Sequence, residues 1–303
     1  MSRHAQRHLD TVDGILLLDK GLGISSNRAL QQARHLFNAR KAGHTGSLDP
    51  LASGLLPLCF GEATKLSQYL LDSDKRYLTT FKLGETTTTG DKEGDVIAQK
   101  EVNISRQHLE SVLNKFRGVI EQVPPMYSAL KKDGKPLYKL ARKGIEVERK
   151  PRTVEISGLS LLAFDADLLT LDVHCSKGFY IRSLAFDIGE ALGCGAHVTE
   201  LRRTAAGKFT VSDAVRIEQL EKMDSQQRLQ QLMPVDAGID DMPRVSLAHD
   251  ASQYFKQGQM VRADVDPQDG LVRVYSENVC FIGIGEALEG RRIKPKRLLS
   301  TNH

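Results

Sequence analysis

The sequence predicts an α+β protein with a small all-β domain at its C-terminal end. Its 303 residues suit about two domains. Segments of strand and helix character follow one another without the strict alternation typical of a parallel α/β sheet. From about residue 243 the pattern changes to short strands separated by glycine turns. We therefore expect a main domain over residues 1–242 and a second domain over residues 243–303.

Apolar alternation places the strands of the main domain, and helical periodicity places its helices. The expected strands cover residues 14–19, 77–83, 154–163 and 168–175. The expected helices cover residues 25–37, 105–118, 136–144 and 181–192, with helical material near 216–232. Ser25 or Ser26 can cap the first helix, because a serine hydroxyl accepts a hydrogen bond from a first-turn amide. We expect a loop over Gly84–Asp95 and an acidic linker over Asp236–Asp241.

Composition excludes several classes of protein. With 40% hydrophobic and 26% charged residues, the chain is an ordinary globular protein. The four cysteines lie far apart and form no CxxC pair, so we expect no zinc site, no disulfide framework and a reducing, cytoplasmic compartment. The first thirty residues hold one short apolar run, Ile15–Leu18, which predicts neither a signal peptide nor a membrane span. The sequence lacks the motifs of a nucleotide-binding P-loop (GxxxxGK[ST]), a nucleophile elbow (GxSxG) and a zinc-binding helix (HExxH).

Positive charge is concentrated in two segments, although the net charge is only +4. Residues 131–152 hold nine cations and three anions, and Arg291–Arg297 holds five cations. Like-charge clusters on a nearly neutral chain fit contacts with phosphates, whose affinity rises with the number of phosphates neutralised. A solvated surface is the alternative interpretation of both clusters.

Three short segments contain candidate catalytic or binding residues. The glycines of Gly43–Gly54 permit close approach of a ligand, and Pro50 favours an extended Asp49 that presents its carboxylate from a fixed loop. Alternatively, Asp49 caps a following helix or bonds its own turn. A catalytic triad of His44, Ser47 and Asp49 is a further reading, although nearness in sequence does not establish triad geometry.

The other two candidates are an arginine and a tyrosine. Arg182 lies at the predicted start of a helix, where the helix dipole disfavours a cation. It therefore requires a carboxylate or phosphate partner, unless it is a surface residue that tolerates the small cost. Tyr77 opens a strand, where an aromatic ring usually packs in the core. Nucleic-acid bases also stack on such rings.

Taken together, these segments closely resemble the TruB family, the tRNA pseudouridine-55 synthases. The resemblance covers nearly the whole chain and rests on five blocks in the family's order: GILLLDKGLGISSN, AGHTGSLDPLASGLLPLCFGEATK, YLLDSDKRY, MYSALKKDGKPLYKLARKGIEV and HCSKGFYIRSLAFDIGEALGCGAHVTELRR. GHTGSLDPLASG and KGFYIRSL are highly specific in combination. The resemblance implies the pseudouridine synthase catalytic fold, with a mixed or antiparallel sheet, and a small C-terminal all-β PUA-like domain.

The resemblance also implies roles for individual residues. Asp49 matches the essential catalytic aspartate, Tyr77 the tyrosine that stacks on the target base and takes part in proton removal, and Arg182 the arginine that pairs with the aspartate. The positions that match the surroundings of the flipped nucleotide are His44, Tyr180, Leu201, Lys20 and Asp91. Residues 124–152 match an insertion that closes over the RNA T-arm, where the candidate RNA-binding cations are Lys131, Lys132, Arg142 and Lys143.

The implied activity is isomerisation of uridine to pseudouridine at position 55 in the T-loop of tRNA, by base flipping and an aspartate-dependent exchange of the glycosidic bond. This exchange is redox-neutral, so we expect neither cofactor nor metal. The expected partner is the tRNA T-arm, with no membrane, no obligate protein partner and a monomeric chain. The alternatives are a guide-RNA-dependent rRNA pseudouridine synthase, a tRNA-folding chaperone without turnover, and a hydrolase that releases uracil. Whether the aspartate attacks the ribose or the uracil ring stays open.

Overall fold

The computed structural model describes residues 9–300, which form a main body and a smaller C-terminal domain. The strands of the main body are β1 (Gly14–Lys20), β2 (Ala42–His44), β3 (Ser53–Phe60), β4 (Lys75–Leu83), β5 (Glu85–Thr87), β6 (Val96–Gln99), β7 (Gly118–Gln122), β8 (Lys131–Lys132), β9 (Lys135–Pro136), β10 (Arg152–Asp165), β11 (Leu168–Cys175), β12 (Ala196–Ala206) and β13 (Phe209–Thr210). Its helices are α1 (Ser26–Leu36), α2 (Ser67–Leu71), α3 (Arg106–Asn114), α4 (Leu137–Ala141), α5 (Ile181–Leu192), α6 (Ile217–Lys222) and α7 (Ser225–Leu229).

One mixed sheet organises the main body, in the order β1-β3-β12-β4-β11-β10-β7, with β2 beside β3 and β13 beside β12. Strands β3 and β12 run parallel, whereas the other neighbouring pairs are antiparallel. The predicted α+β class with a mixed sheet is therefore confirmed. Strand β4 alternates, with Tyr77, Thr79 and Phe81 buried on one face. This alternation fixes which side chains of β4 face the core.

Helices α1, α3 and α5 each bury one apolar face in the core of the main body. Ser25 caps α1 by accepting a hydrogen bond from the amide of Arg28 at 3.2 Å. Ser26, the other predicted cap, makes a different contact that is described below. The buried faces of all three helices, and the serine cap of α1, explain why these segments are helical, since short helices are marginal without tertiary packing.

Three predicted elements differ in the structure. Gly84–Asp95 is not entirely a loop, because it begins with β5, which pairs with β6. The helix expected over residues 105–118 ends after Asn114, and Gly118, with φ of 86°, instead begins β7. The helical material near 216–232 is divided into α6 and α7, since Asp224 starts a new helix by accepting a hydrogen bond from the amide of Gln227 at 2.8 Å.

The C-terminal domain has the predicted series of short strands. They are β14 (Arg244–Leu247), β15 (Val261–Arg262), β16 (Leu271–Ser276), β17 (Phe281–Leu288) and β18 (Arg292–Leu298), which form one sheet in the order β14-β16-β17-β18-β15. Helix α8 (His249–Lys256) was not predicted, and it is held by the complete burial of Phe255 against this sheet's own core. The ends of the two predicted domains, residues 1–8 and 301–303, lie outside the described residues.

The acidic linker Asp236–Asp241 forms part of the interface between the main body and the C-terminal domain. The Asp236 carboxylate is buried and accepts hydrogen bonds from the Tyr275 phenol and, at 3.1 Å, from Arg273 Nη1. Beside it, Leu66 of the main body packs in one apolar cluster with Ile239 and Ile284. Of the linker's carboxylates, that of Asp236 accepts hydrogen bonds from the C-terminal domain, and that of Asp240 pairs with Lys208 of the main body. Within residues 9–300, no helix is both long and apolar enough to span a membrane.

Candidate active site

The loop between β2 and β3 carries Asp49, and contacts from the first helix hold this loop in place. The Ser26 hydroxyl accepts a hydrogen bond from the Leu48 amide at 2.7 Å and donates one to the Leu48 carbonyl at 2.9 Å. The Gly23 amide donates to the Pro50 carbonyl at 2.8 Å. Asp49 is followed by a turn and then β3, so it caps no helix. Its carboxylate points away from its own turn and is available to another element.

That element is α5, whose first turn supplies Arg182. Arg182 Nη2 lies 2.9 Å from Asp49 Oδ2, and Arg182 Nη1 lies 3.6 Å from Asp91 Oδ2. The arginine side chain is only 6% exposed, whereas that of Asp49 is 40% exposed. Arg182 also donates to the carbonyls of Thr89, at 3.2 Å, and Tyr127, at 2.6 Å. Two carboxylates thus supply the anion that a cation at a helix start requires.

Asp91 is held by its own turn, so that one carboxylate oxygen is directed at Arg182. Its Oδ1 accepts hydrogen bonds from the Thr89 hydroxyl at 2.6 Å and from the Glu93 amide at 3.1 Å. Its Oδ2 is the atom that faces the guanidinium. The turn therefore holds Arg182 through Nη1, while Asp49 pairs with Nη2.

Lys20 ends β1, is 1% exposed, and lies near enough to Asp49 for the two charges to interact. Its ammonium donates to the carbonyls of Gly21 and Ile24, both at 2.8 Å. Burial lowers the pKa of Lys20 to about 8, while the charges of Asp49 and Glu93 act in the opposite direction. The ammonium is thus a buried group, held by two backbone carbonyls, whose charge interacts with those of Asp49 and Glu93.

Burial raises the pKa of the Asp49 carboxyl above its ordinary value of 3.8. The Arg182 guanidinium opposes this rise through its charge and its hydrogen bond, and the Lys20 charge adds to that effect. Asp91 acts in the other direction, because a second carboxylate nearby disfavours the ionised form. The protonation of Asp49 is therefore set by its burial, which is the largest effect, together with the charges of two cations and one anion.

Tyr77, Leu201 and His44 line the adjoining part of the site. Leu201 pairs with Thr79 across β12 and β4, so it shares the buried face of Tyr77. The Tyr77 phenol lies close enough to Asp49 for the carboxylate to act on its pKa, which is raised chiefly by burial. Burial also lowers the pKa of His44, and its buried Nδ1 has no hydrogen-bond partner within residues 9–300. No hydrogen bond between described residues connects His44, Ser47 and Asp49 into a triad.

Tyr180 immediately precedes α5, and its backbone is clamped by the side-chain amide of Gln122. The Tyr180 amide donates to Gln122 Oε1 at 2.8 Å, and Gln122 Nε2 donates to the Tyr180 carbonyl at 3.1 Å. Burial raises the pKa of the Tyr180 phenol, and the charges of Arg182 and Asp49 also act on it. The structure therefore brings Tyr180 to the same site as the ion pair.

The four candidate RNA-binding cations lie apart from the ion pair, on the exposed surface of residues 124–152. Lys131 and Lys132 form β8, and Arg142 and Lys143 follow α4. The Arg142 guanidinium lies over the Tyr138 ring, 5.5 Å from its centre. The insertion reaches the site through the Tyr127 carbonyl, which Arg182 contacts.

Comparison with known proteins identifies the family. Residues 34–181 match the family model of the TruB family pseudouridylate synthase (N terminal domain). Residues 182–240 match that of the tRNA pseudouridylate synthase B C-terminal domain, and residues 243–299 match that of Pseudouridine synthase II TruB, C-terminal. The tRNA pseudouridine synthase B of Pseudomonas fluorescens (strain Pf0-1) is 57% identical over 292 residues, which cover 95% of this chain and 96% of that protein. The chain belongs to the TruB family.

Other relatives and solved structures agree with this assignment. The tRNA pseudouridine synthase B of Ectopseudomonas mendocina (strain ymp) is 55% identical over 96% of each chain. An archaeal box H/ACA sRNP Nop10-Cbf5 complex contains a chain with a TM-score of 0.71 at 23% identity, covering 95% of this chain and 86% of that one. A chain of an H/ACA RNP bound to a substrate RNA containing 2'-deoxyuridine has a TM-score of 0.70 at 22% identity, covering 95% and 85%. At this identity the two structures establish the fold, which confirms the predicted pseudouridine synthase fold.

One buried residue of this TruB-family site, Arg203, was missed by the sequence analysis. It lies on β12 directly opposite Tyr77, is 1% exposed, and donates from Nε to the Leu55 carbonyl at 2.7 Å. The signal for it was the pair of adjacent arginines, Arg202 and Arg203, within a strand. Because successive side chains of a strand point to opposite faces, one of the two must face inward.

Proposed function

We propose that this protein converts uridine to pseudouridine at position 55 in the T-loop of tRNA, with Asp49, Tyr77 and Arg182 as its catalytic residues. The conversion of a tRNA uridine is the activity for which its 55–57% identical relatives are named. The T-loop position and the residue roles are the finer part of the proposal. The observation that carries it is the ion pair of 2.9 Å between Arg182 and a partly exposed Asp49.

The chemistry requires a carboxylate at this place. The bond between ribose C1' and uracil N1 breaks, C1' bonds to C5 instead, the C5 proton leaves, and N1 gains a proton. A carboxylate stabilises the positive charge that develops at the sugar, or forms a transient covalent bond, as carboxylates do in glycoside hydrolysis. Arg182 orients the Asp49 carboxylate by a charge-assisted hydrogen bond. The Lys20 charge favours the ionised form of Asp49, and the Asp91 charge disfavours it.

The target nucleotide must leave the T-loop stack before it reaches Asp49, at a cost of about a few kcal/mol. Stacking on the Tyr77 ring offsets part of this cost, because a base stacked on an aromatic side chain gains about 1–3 kcal/mol. The side chains that enclose the flipped nucleotide are Tyr77, His44, Tyr180 and Leu201. Tyr77 also takes part in removing the C5 proton.

The wider organisation of the protein follows the same proposal. Residues 1–242 form the catalytic domain, in which residues 124–152 close over the T-arm through Lys131, Lys132, Arg142 and Lys143. Residues 243–303 form a PUA-like domain. The exposed cations of the insertion and the contact between Arg182 and the Tyr127 carbonyl support a link between RNA binding and the site. The protein acts in the cytoplasm as a monomer, without an obligate protein partner or cofactor.

The test is a pseudouridine assay on a bare T-arm stem-loop transcript, without guide RNA or a second protein. Wild-type protein is expected to form pseudouridine at the T-loop uridine. Asp49→Asn is expected to bind the transcript as wild type does and to form no product. Asp165→Asn, a substitution of an exposed aspartate at the end of β10, is the matched control and is expected to remain active.

Four other results would overturn the proposal. Retained isomerisation by Asp49→Asn would exclude the catalytic role of Asp49. Binding by the wild-type protein without turnover would indicate a chaperone. A requirement for guide RNA would indicate the guide-dependent class, and release of free uracil would indicate a hydrolase.

A further inference from the structure

Arg203 is a buried cation that has no carboxylate partner among the residues that the structure describes. Its side chain is among the largest that are fully buried, and no salt bridge joins it to a carboxylate within residues 9–300. Instead, Nε donates to the Leu55 carbonyl at 2.7 Å, and Nη2 lies 3.5 Å from the Gly46 carbonyl. Burying an arginine costs several kcal/mol unless the surroundings compensate the charge. An unpaired guanidinium next to a candidate active site therefore requires an explanation.

The position of Arg203 joins the two parts of the site. It pairs with Tyr77 of β4 on one side and with Gly54 of β3 on the other. Side chains of directly opposed residues project from the same face, so the guanidinium and the phenol share one face of the sheet. Gly46, whose φ is 86°, lies three residues before Asp49, and a Cβ at Gly46 would stand 3.4 Å from Arg203 Nη1. Arg203 thus contacts the Asp49 loop and faces Tyr77 at once.

The charged and titratable groups around this contact come from several strands. The Tyr77 phenol is faced by Arg203 of β12, Cys175 of β11 and Asp49 of the loop. Burial raises the pKa of Tyr77, and among these groups Arg203 alone opposes that rise. Arg203 in turn is near three groups that carry or accept a proton: Lys20, His44 and Lys75. It contributes to the lowered pKa of His44, so it favours a neutral imidazole there.

We infer that Arg203 is a positioning residue for the reaction, which holds the Asp49 loop and the Tyr77 phenol in register and places a fixed positive charge beside the phenol oxygen. This inference rests on the proposed function. Burial keeps the pKa of Tyr77 above its ordinary value, and the Arg203 charge opposes this rise and so favours the phenolate relative to an uncharged neighbour. The phenolate is the form that can accept the C5 proton, while the electron pair of the C–H bond returns to the uracil ring. Because the side chain is 1% exposed, Arg203 has no surface to offer to RNA and acts through its neighbours.

The experiment compares two substitutions at Arg203 with one at the adjacent arginine. Arg203→Gln keeps a hydrogen-bond donor but removes the positive charge. Arg203→Lys keeps the positive charge but removes the planar guanidinium group. Arg202→Gln is the matched control, since Arg202 lies next in β12 on the opposite face and pairs with Asp19 at 2.9 Å. For each protein, urea unfolding, T-arm affinity and the single-turnover rate as a function of pH are measured on full-length chain.

All variants that fold are expected to bind the T-arm as wild type does. The single-turnover rate of Arg203→Gln is expected to fall by about 10²-fold, as for a displaced catalytic group. The rise of the rate that accompanies deprotonation of Tyr77, which lies at higher pH than the acid limb set by Asp49, is expected to move to still higher pH. Arg203→Lys is expected to keep the wild-type pH profile and to recover part of the rate. Arg202→Gln is expected to keep the wild-type pH profile and rate.

Wild-type rate and pH profile in both Arg203 variants would overturn the inference. So would a loss of rate that follows the loss of folded protein or of RNA affinity while the pH profile stays unchanged, because that result indicates a purely structural role. Absence of pseudouridine with wild-type protein would instead refute the proposed function, so the two failures are distinguishable.

Discussion

Ser26 and Leu48, separated by 22 positions in the chain, are joined by two hydrogen bonds through a single hydroxyl group. Ser26 is the first residue of α1 and is 3% exposed, and Leu48 immediately precedes Asp49. The orientation of the Asp49 carboxylate is therefore set by the first helix as well as by the turn in which it lies. The glycines permit the backbone conformation of this loop, and the Ser26 hydroxyl holds the loop in one position by binding the Leu48 backbone.

Ser26→Ala is expected to destabilise the protein by about 1–3 kcal/mol, because the buried Leu48 amide loses its acceptor. It is also expected to lower the single-turnover rate on a T-arm transcript, since Asp49 is displaced. Ser25→Ala is the control: it removes the cap of the same helix at a cost of about 0.5–2 kcal/mol and leaves the rate unchanged. Equal rates in the two variants would contradict the role of Ser26 in placing Asp49.

The acid side of the pH profile is expected to report the raised pKa of Asp49. A carboxyl with a raised pKa is protonated at a higher pH, so the rate should fall, as pH is lowered, at a value above the ordinary 3.8. Asp91→Asn removes a neighbouring negative charge and should shift this limb to lower pH. Lys20→Met removes a neighbouring positive charge and should shift it to higher pH. Both shifts are measured by single-turnover kinetics.

Lys75→Met provides the matched control for that experiment. Lys75 is also buried, its pKa is also lowered to about 8 by burial, and its ammonium also donates to two carbonyls. Its charge is not among the chief influences on the pKa of Asp49, so the acid limb of Lys75→Met should lie close to that of wild type. Shifts of the Asp91 and Lys20 variants in the same direction would refute the electrostatic account.

Much of the fold was predictable, because the signals are local. Successive side chains of β4 alternate between buried and more exposed positions. Helix α5 ends before Gly193, whose φ of 79° suits the position that follows a helix. The prediction that Arg182 needs an anion also followed from a local cause, the dipole of its own helix. In these cases the interacting groups lie within a few residues of one another.

The features that were missed depend on contacts between distant residues. Arg203 is bound by carbonyls that lie 148 and 157 positions earlier in the chain. The sequence predicts an acidic linker around Asp236 without indicating that this carboxylate is buried, since its partner is a phenol 39 positions later. Neither composition nor periodicity indicates which of two adjacent arginines, or which of several linker carboxylates, will meet such partners.

The salt dependence of RNA binding is expected to fall when the insertion loses its charge. The change combines Lys131→Gln, Lys132→Gln, Arg142→Gln and Lys143→Gln. Each lost phosphate contact should reduce the slope of log affinity against log salt by about 0.7–0.9. The control replaces four cations elsewhere by glutamine: Lys100, Arg106, Lys115 and Lys222. An unchanged slope in the insertion variant, measured by filter binding over a salt series, would mean that its cations are only solvated.

The hydrogen bond between Tyr275 and Asp236, at the interface of the two domains, is expected to make a contribution to stability that depends on pH. Tyr275→Phe removes the hydrogen bond to the buried Asp236 carboxylate and should lower the free energy of unfolding by about 1–3 kcal/mol at neutral pH. Burial, together with Asp236, raises the pKa of Tyr275 from 10.0 to about 12. The folded protein therefore holds this proton more tightly than the unfolded chain, so the phenol's contribution is complete below pH 10.0 and is lost as the pH rises towards 12.

Urea unfolding at several pH values should accordingly show the difference between wild type and Tyr275→Phe shrinking across that window. Tyr254→Phe, at a tyrosine that is 53% exposed on α8, should show no difference at any pH. A difference for Tyr275→Phe that is constant with pH would mean that the ring's packing, and not the phenol's hydrogen bond, stabilises the domain interface.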